Sequence, residues 1–215
     1  GKYVLSFHDE FNGEVFDTSV WGYHNPGKRR SAVNVKEACL LNGRGKLEIR
    51  NWTVVSGNDT IHHAGMIETK NDFTFGYYEA RIKFDIAPGS WGAFWIMYHN
   101  FRKTYTEIDN PAQDGVEIDI MEFVPTEGRY GCHNLHWNGY GEFHKSVGSG
   151  QKLNGKLEGY HIYSLLWTKD GYIFYIYGEE SWRYDKGVSH APQYIILSTE
   201  IQDKVEVLIS PNRGE

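Results

Sequence analysis

The sequence predicts an all-β sandwich of two antiparallel sheets. Three observations carry that expectation. Short runs of Tyr, Phe, Ile and Val alternate with Gly, Asn and Asp; aromatic residues make up 15% of a 215-residue chain; and no window keeps a helical period beyond about two turns. Aromatic and β-branched side chains suit a pleated, half-buried surface. Many short strands separated by turn signals bury themselves best as two stacked sheets. A single domain spanning 1–215 accounts for the length, since β-sandwiches of about 200–250 residues fold as one unit. No linker, low-complexity stretch or internal repeat divides the chain.

In chain order, Lys46–Arg50 and Tyr77–Phe84 read as strands. The polar segment His99–Asp114 reads as a loop insertion, the kind of element that forms the rim of a cleft beside a rigid sheet. Gly115–Phe123 follows it and is the most informative strand. Tyr172–Tyr177 is a strand entered through the hairpin signal Lys169-Asp170-Gly171. Gln193–Ser198 is another strand.

The formal net charge of −6 argues against a nucleic-acid or anionic-membrane partner, both of which need a basic face. It also counts against a strongly anionic polymer; Lys28-Arg29-Arg30 is the one short basic run that could receive a sulfate. No apolar run approaches the 18 or so residues of a membrane span. The two cysteines, Cys39 and Cys132, fit no zinc spacing and are too few for a disulfide framework. They read as small buried hydrophobes, with one disulfide left open. The opening Gly1-Lys2-Tyr3 has no signal-peptide pattern, so either a leader was removed or the protein never had one.

In Gly115-Val116-Glu117-Ile118-Asp119-Ile120-Met121-Glu122-Phe123, alternation puts Glu117 and Asp119 on one face and Ile118 and Ile120 on the other. A regular strand would then bury Glu122 among apolar side chains without a partner, which is costly. A β-bulge at Ile120–Met121 removes the conflict, because one extra residue turns Glu122 onto the face of the other two acids. Three carboxylates that close cannot all ionise freely, so at least one pKa rises. One carboxylate and one carboxylic acid are what glycoside hydrolysis uses. The competing reading is an acidic strand facing solvent.

Glu117-Ile118-Asp119-Ile120-Met121-Glu122 resembles the bulged E-x-D-x-x-E signature of glycoside hydrolase family 16. This form is similar to laminarinases, agarases, porphyranases and carrageenases more than to the unbulged lichenases. Phe7–Phe11 with Trp21, Gly76–Lys83, Trp91–Trp95, His161–Asp170 and Tyr172–Tyr177 resemble, in order, the family's flanking strands. The resemblance implies a jelly-roll with an open concave cleft. It implies Glu117 as nucleophile, Glu122 as acid/base and Asp119 as assisting residue, hydrogen-bonded to the nucleophile, in a double displacement that retains anomeric configuration. It further implies Trp91, Trp95, His136, Arg81, Asn34 and Glu200 as substrate-binding residues, with His133 the competitor of His136.

On the same resemblance, catalysis needs no cofactor, and no metal ligands are assigned, although the family often carries a structural calcium on its convex sheet. The partner is a polysaccharide, bound by a monomer outside the cytoplasm. The first expectation for the substrate is a neutral β-1,3-containing glucan, laminarin or mixed-linkage. The alternative is the same chemistry on a β-galactan such as agarose, porphyran, carrageenan or a host O-glycan. A non-catalytic sugar-binding sandwich is the reading from another class. Residues 205–215 lack the family's usual last strand, and Trp137–Gly141 with His144–Ser146 departs from the laminarinase pattern.

Overall fold

A computed structural model describes residues 3–101, 109–125, 131–150 and 158–202. The expectation about the final strand falls at 205–215, outside the described residues. The strands are β1 (Trp21–Tyr23), β2 (Gly27–Arg29), β3 (Ala32–Asn34), β4 (Cys39–Leu41), β5 (Leu47–Ile49), β6 (Trp52–Ser56), β7 (Asp59–Thr69) and β8 (Gly76–Ile82). They continue as β9 (Ser90–Met97), β10 (Glu117–Phe123), β11 (Cys132–Trp137), β12 (Lys145–Gly148), β13 (His161–Thr168), β14 (Gly171–Ile176), β15 (Glu179–Tyr184) and β16 (Tyr194–Ile201). A short helix, α1 (Pro111–Asp114), lies inside the segment read as an insertion.

Among the described residues, ten strands form one sheet, in the order β12-β11-β10-β9-β16-β7-β3-β2, with β1 and β6 also pairing with β7. Four form the facing sheet, β15-β14-β13-β8, and β4-β5 is a separate hairpin. The fold is the two-sheet sandwich that the strand pattern implies, in the jelly-roll form that the resemblance implies. The core between the two large sheets takes Phe94 and Ile96 from β9 and Ile118, Met121 and Phe123 from β10. Against them pack Tyr163, Leu165 and Trp167 from β13 and Phe174 from β14. Alternation therefore sends Trp91, Ala93 and Trp95 of β9, and Ser198 and Glu200 of β16, to the outer, concave face.

Gly115 sets the entry into β10. Its φ is +76°, and a Cβ there would overlap the Tyr98 ring, so only glycine fits without displacement. Cys39 and Cys132 are both free thiols, so no disulfide links β4 to β11; burial pushes the Cys39 thiol up to about 12.

Candidate active site

The ladder slips where the acidic strand needs it to. Against β9, Asp119 pairs with Trp95 and Met121 with Phe94, leaving Ile120 as the extra residue. Against β11, Asp119 pairs with Asn134 and Glu122 with Cys132. Met121 thereby turns into the core, 1% exposed, and Glu122 lands opposite Ala93 on the concave face beside Glu117 and Asp119. The carbonyl freed at Ile120 is not orphaned. His133 Nδ1 lies 2.6 Å from it and donates, while His133 Nε2 accepts from the Ser181 hydroxyl at 2.9 Å. His133 points into the core, stacks on Phe174, and is held neutral by burial, its pKa lowered to about 4.

The three acids differ in their surroundings. Glu117 is 8% exposed, and its Oε2 has no hydrogen-bond partner among the described residues. Burial raises its pKa well above the usual range, and Asp119 beside it adds to the rise. Asp119 is also raised by burial, with Glu122 and Glu200 adding repulsion. Its Oδ2 lacks a hydrogen bond but lies 3.4 Å from His136 Nε2, an ion-pair distance. Glu122 is satisfied at both oxygens: Trp91 Nε1 donates to Oε1 at 3.0 Å, and the Asn134 amide donates to Oε2. Its pKa is raised, mainly by burial, against the lowering pull of Asn134, His136 and Trp91. The expected direction is therefore met through desolvation more than through crowding by Glu117 and Asp119.

The other residues singled out in the sequence fall into three groups. Trp91, His136 and Glu200 adjoin the acids. Glu200 sits across from Trp91 in the ladder and holds Arg29 at 3.0 Å and Arg30 at 2.9 Å. The Arg30 guanidinium lies 4.5 Å above the Trp91 ring, so Glu200, Arg30, Trp91 and Glu122 form one chain of contacts. His136 Nδ1 contacts His144 Nε2 at 3.0 Å.

Trp95, the ladder partner of Asp119, and Asn34 belong to the same sheet, and their side chains hydrogen-bond to other residues. Trp95 is a floor residue, 4% exposed, donating to Ser198 Oγ at 3.1 Å; its surface is spent on packing. Asn34 is buried on β3, donating to the Asn25 carbonyl at 3.2 Å.

Arg81 does not belong to the cleft. It lies on β8 in the opposite sheet, opposite Ile162, with its guanidinium 4.2 Å over the Tyr160 ring. Alternation along β8 turns it to the outer surface while Tyr78 goes into the core.

Two residues were missed. Asn134 lies two positions from His136, so period-two alternation alone would have put it on the cleft face. His133 gave no such signal, because its role depends on a carbonyl that only the bulge releases.

Among the described residues, Glu117, Asp119 and His136 are the one group whose ligand atoms all lie within 4.8 Å, close enough to hold a cation. That group is the acid cluster itself and not a convex-sheet site. Two carboxylates, a third acid with two donors and a neighbouring imidazole can attack an acetal carbon and protonate its leaving oxygen.

Comparison with known proteins converges on one family. The family model for glycosyl hydrolases family 16 matches residues 28–202. Beta-porphyranase E of Zobellia galactanivorans is 30% identical over 200 residues, covering 81% of this chain and 66% of that protein. Keratan-sulfate endo-1,4-beta-galactosidase of Sphingobacterium multivorum is 25% identical over 215 residues, covering 91% of this chain and 48% of that protein. The chain thus spans about half to two-thirds of the length of these relatives. The LamAcat structure from Zobellia galactanivorans superposes with a TM-score of 0.74 at 22% identity, covering 97% of this chain and 91% of that one, a likeness of fold. Enzymes of this family work without a cofactor. With the family model matched over most of the chain, this protein belongs to glycosyl hydrolase family 16.

Proposed function

We propose that the chain is a retaining endo-β-glycanase cleaving internal β-galactosidic bonds in an uncharged stretch of a galactan or galactose-containing glycan. The observation that carries the chemistry is the bulge: it brings Glu122, with two donors on its carboxylate, to the face holding Glu117 and Asp119. Glu117 attacks the anomeric carbon while Glu122, whose hold on a proton burial strengthens, gives its proton to the leaving oxygen. Glu122 then takes a proton from water, which releases the sugar from Glu117 with configuration retained. Asp119 shares the site with Glu117, and His136 Nε2, 3.4 Å from Asp119 Oδ2, faces the pair from β11.

One feature supports a galactan over the β-1,3-glucan that the sequence suggests first, and a second bears on the charge of the sugar. The two relatives described above are named for porphyran and for keratan sulfate. The basic run read as a sulfate receptor is engaged, with Arg29 and Arg30 both paired to Glu200, which favours an uncharged sugar there. The substrate is a polymer, so the enzyme acts outside the cytoplasm.

The test is depolymerisation of agarose, porphyran, κ-carrageenan, keratan sulfate, laminarin and mixed-linkage glucan, with product masses and the initial anomer read by NMR. Galactan chains are cut to oligosaccharides and the first product keeps the β configuration. Cleavage of the glucans alone would overturn the galactan reading, and an initial α-product would overturn retention.

A further inference from the structure

A cavity of about 600 Å³ lies apart from the cleft, lined by Glu37, Arg50, Asn51, Trp52, Asp85 and Thr199 among others. It opens on the back of the large sheet. Thr199 lines it, whereas the next residue on β16, Glu200, adjoins the acids, and successive side chains on a strand face opposite ways. The hydrolytic mechanism uses none of these residues.

The walls are held in place. Trp52 is 37% exposed at the start of β6, yet its indole is stacked on His63 at 4.9 Å and 15°. The Asn51 amide donates to Ser90 Oγ at 3.3 Å and Thr199 Oγ1 at 3.1 Å. Arg50 Nε and Nη2 both bond one oxygen of Glu48, at 3.0 and 2.6 Å, which anchors the guanidinium at the rim. A fixed indole supplies an apolar platform at low entropic cost, and planar amide, guanidinium and carboxylate groups supply paired donors and acceptors. A pyranose needs that combination: its C–H face lies on the ring and its hydroxyls bridge the polar groups. The volume falls in the range of small-molecule sites and suits one or two sugar units.

We propose that this cavity is a second, non-catalytic sugar-binding site that holds the polysaccharide on the back of the sheet while the cleft hydrolyses it. The proposal rests on the glycanase reading for the identity of the ligand. Two sites on one polymer raise its effective concentration at the cleft without any new catalytic contact. The predicted signature is therefore a benefit for long chains and none for short ones.

The test compares wild type, Trp52→Ala and Trp52→Phe on a long soluble polymer and on the shortest oligosaccharide cleaved. The same substitutions are placed in Glu117→Gln protein, and retention is measured in native gels containing low-melting agarose or laminarin, with the cleft filled by excess hydrolysis product. Trp52→Ala is expected to weaken retention and raise KM for the polymer by about fivefold or more, as loss of an anchoring Trp does. Trp52→Phe keeps most of both, and the oligosaccharide kinetics stay at wild-type values. If Trp52→Ala folds poorly, Arg50→Ala at the exposed rim takes its place. Unchanged retention with unchanged polymer KM overturns the proposal, as does an equal loss on polymer and oligosaccharide. Trp52-dependent retention by a protein that cleaves none of the glycans would support the cavity and sink the glycanase reading instead.

Discussion

Glu117 combines the two properties a buried nucleophile must reconcile: it has to be charged to react, and its surroundings disfavour that charge. Its pKa is raised by burial and by Asp119, so the folded state binds a proton more tightly than the unfolded chain. Stability then falls as pH rises from the unfolded carboxylate value through the folded one. Glu117→Gln is therefore expected to raise the Tm at pH 7 by a few degrees while cutting kcat by about 1,000-fold or more and leaving oligosaccharide binding intact. Calorimetry and activity on one preparation check both halves; turnover at the wild-type rate would refute the role given to Glu117. Trp91 offers a finer probe. Its Nε1–H pulls the Glu122 pKa down, against the dominant effect of burial. Trp91→Phe removes that donor, so the basic limb of the pH–rate profile should move to higher pH. kcat should fall roughly tenfold, the cost of one hydrogen bond to a charged group.

At the scale of the element, the bulge on β10 decides whether there is a site. Its geometry is held from both sides: His133 takes the freed Ile120 carbonyl from the core, and Asn134 binds Glu122 from the cleft. Asn134 in turn depends on Gly148, its partner across β11–β12, where a Cβ would overlap the Asn134 amide oxygen. Gly148→Ala should therefore push Asn134 off Glu122, lowering kcat with little change in KM or Tm, as steady-state kinetics and thermal melts would register. A KM-only effect would show that Asn134 serves binding instead. The need for a bulge was legible in the sequence, because Glu122 otherwise falls among apolar neighbours. The residues that hold it in place were legible only in part. Asn134 follows from alternation along β11, but His133 acts through a backbone atom, and no side-chain pattern announces that.

For the molecule as a whole, the two sheets are joined by an apolar and aromatic core into which the His133 imidazole projects, 1% exposed and neutral. Its folded pKa of about 4 lies below the unfolded value of 6.5, so its contribution is complete above pH 6.5 and is lost as pH falls toward 4. That loss amounts to about 3 kcal/mol at about 1.4 kcal/mol per pK unit. The buried acids work the other way, gaining stability as they protonate, so the comparison must isolate the histidine. Urea unfolding from pH 7 to pH 4 should show wild type losing stability relative to His133→Asn; parallel curves would contradict a buried neutral imidazole. Across both sheets, composition and alternation were enough to assign the class, since period two and turn residues are local properties of the chain. Which sheet a strand joins is not local, and that is why Arg81, on a strand correctly read, was placed at the wrong face of the sandwich.

By itself the sequence determined the all-β class, the acidic strand, the need for a bulge and the family resemblance, because these rest on side-chain order along a few residues. Tertiary structure decided the partners: Trp91 and Asn134 on Glu122, His136 on Asp119, and Glu200 on Arg29 and Arg30. Each joins residues from different strands, brought together by sheet pairing or loop return. Those contacts set the desolvation and hydrogen bonding of the acids, and so which of them can carry charge.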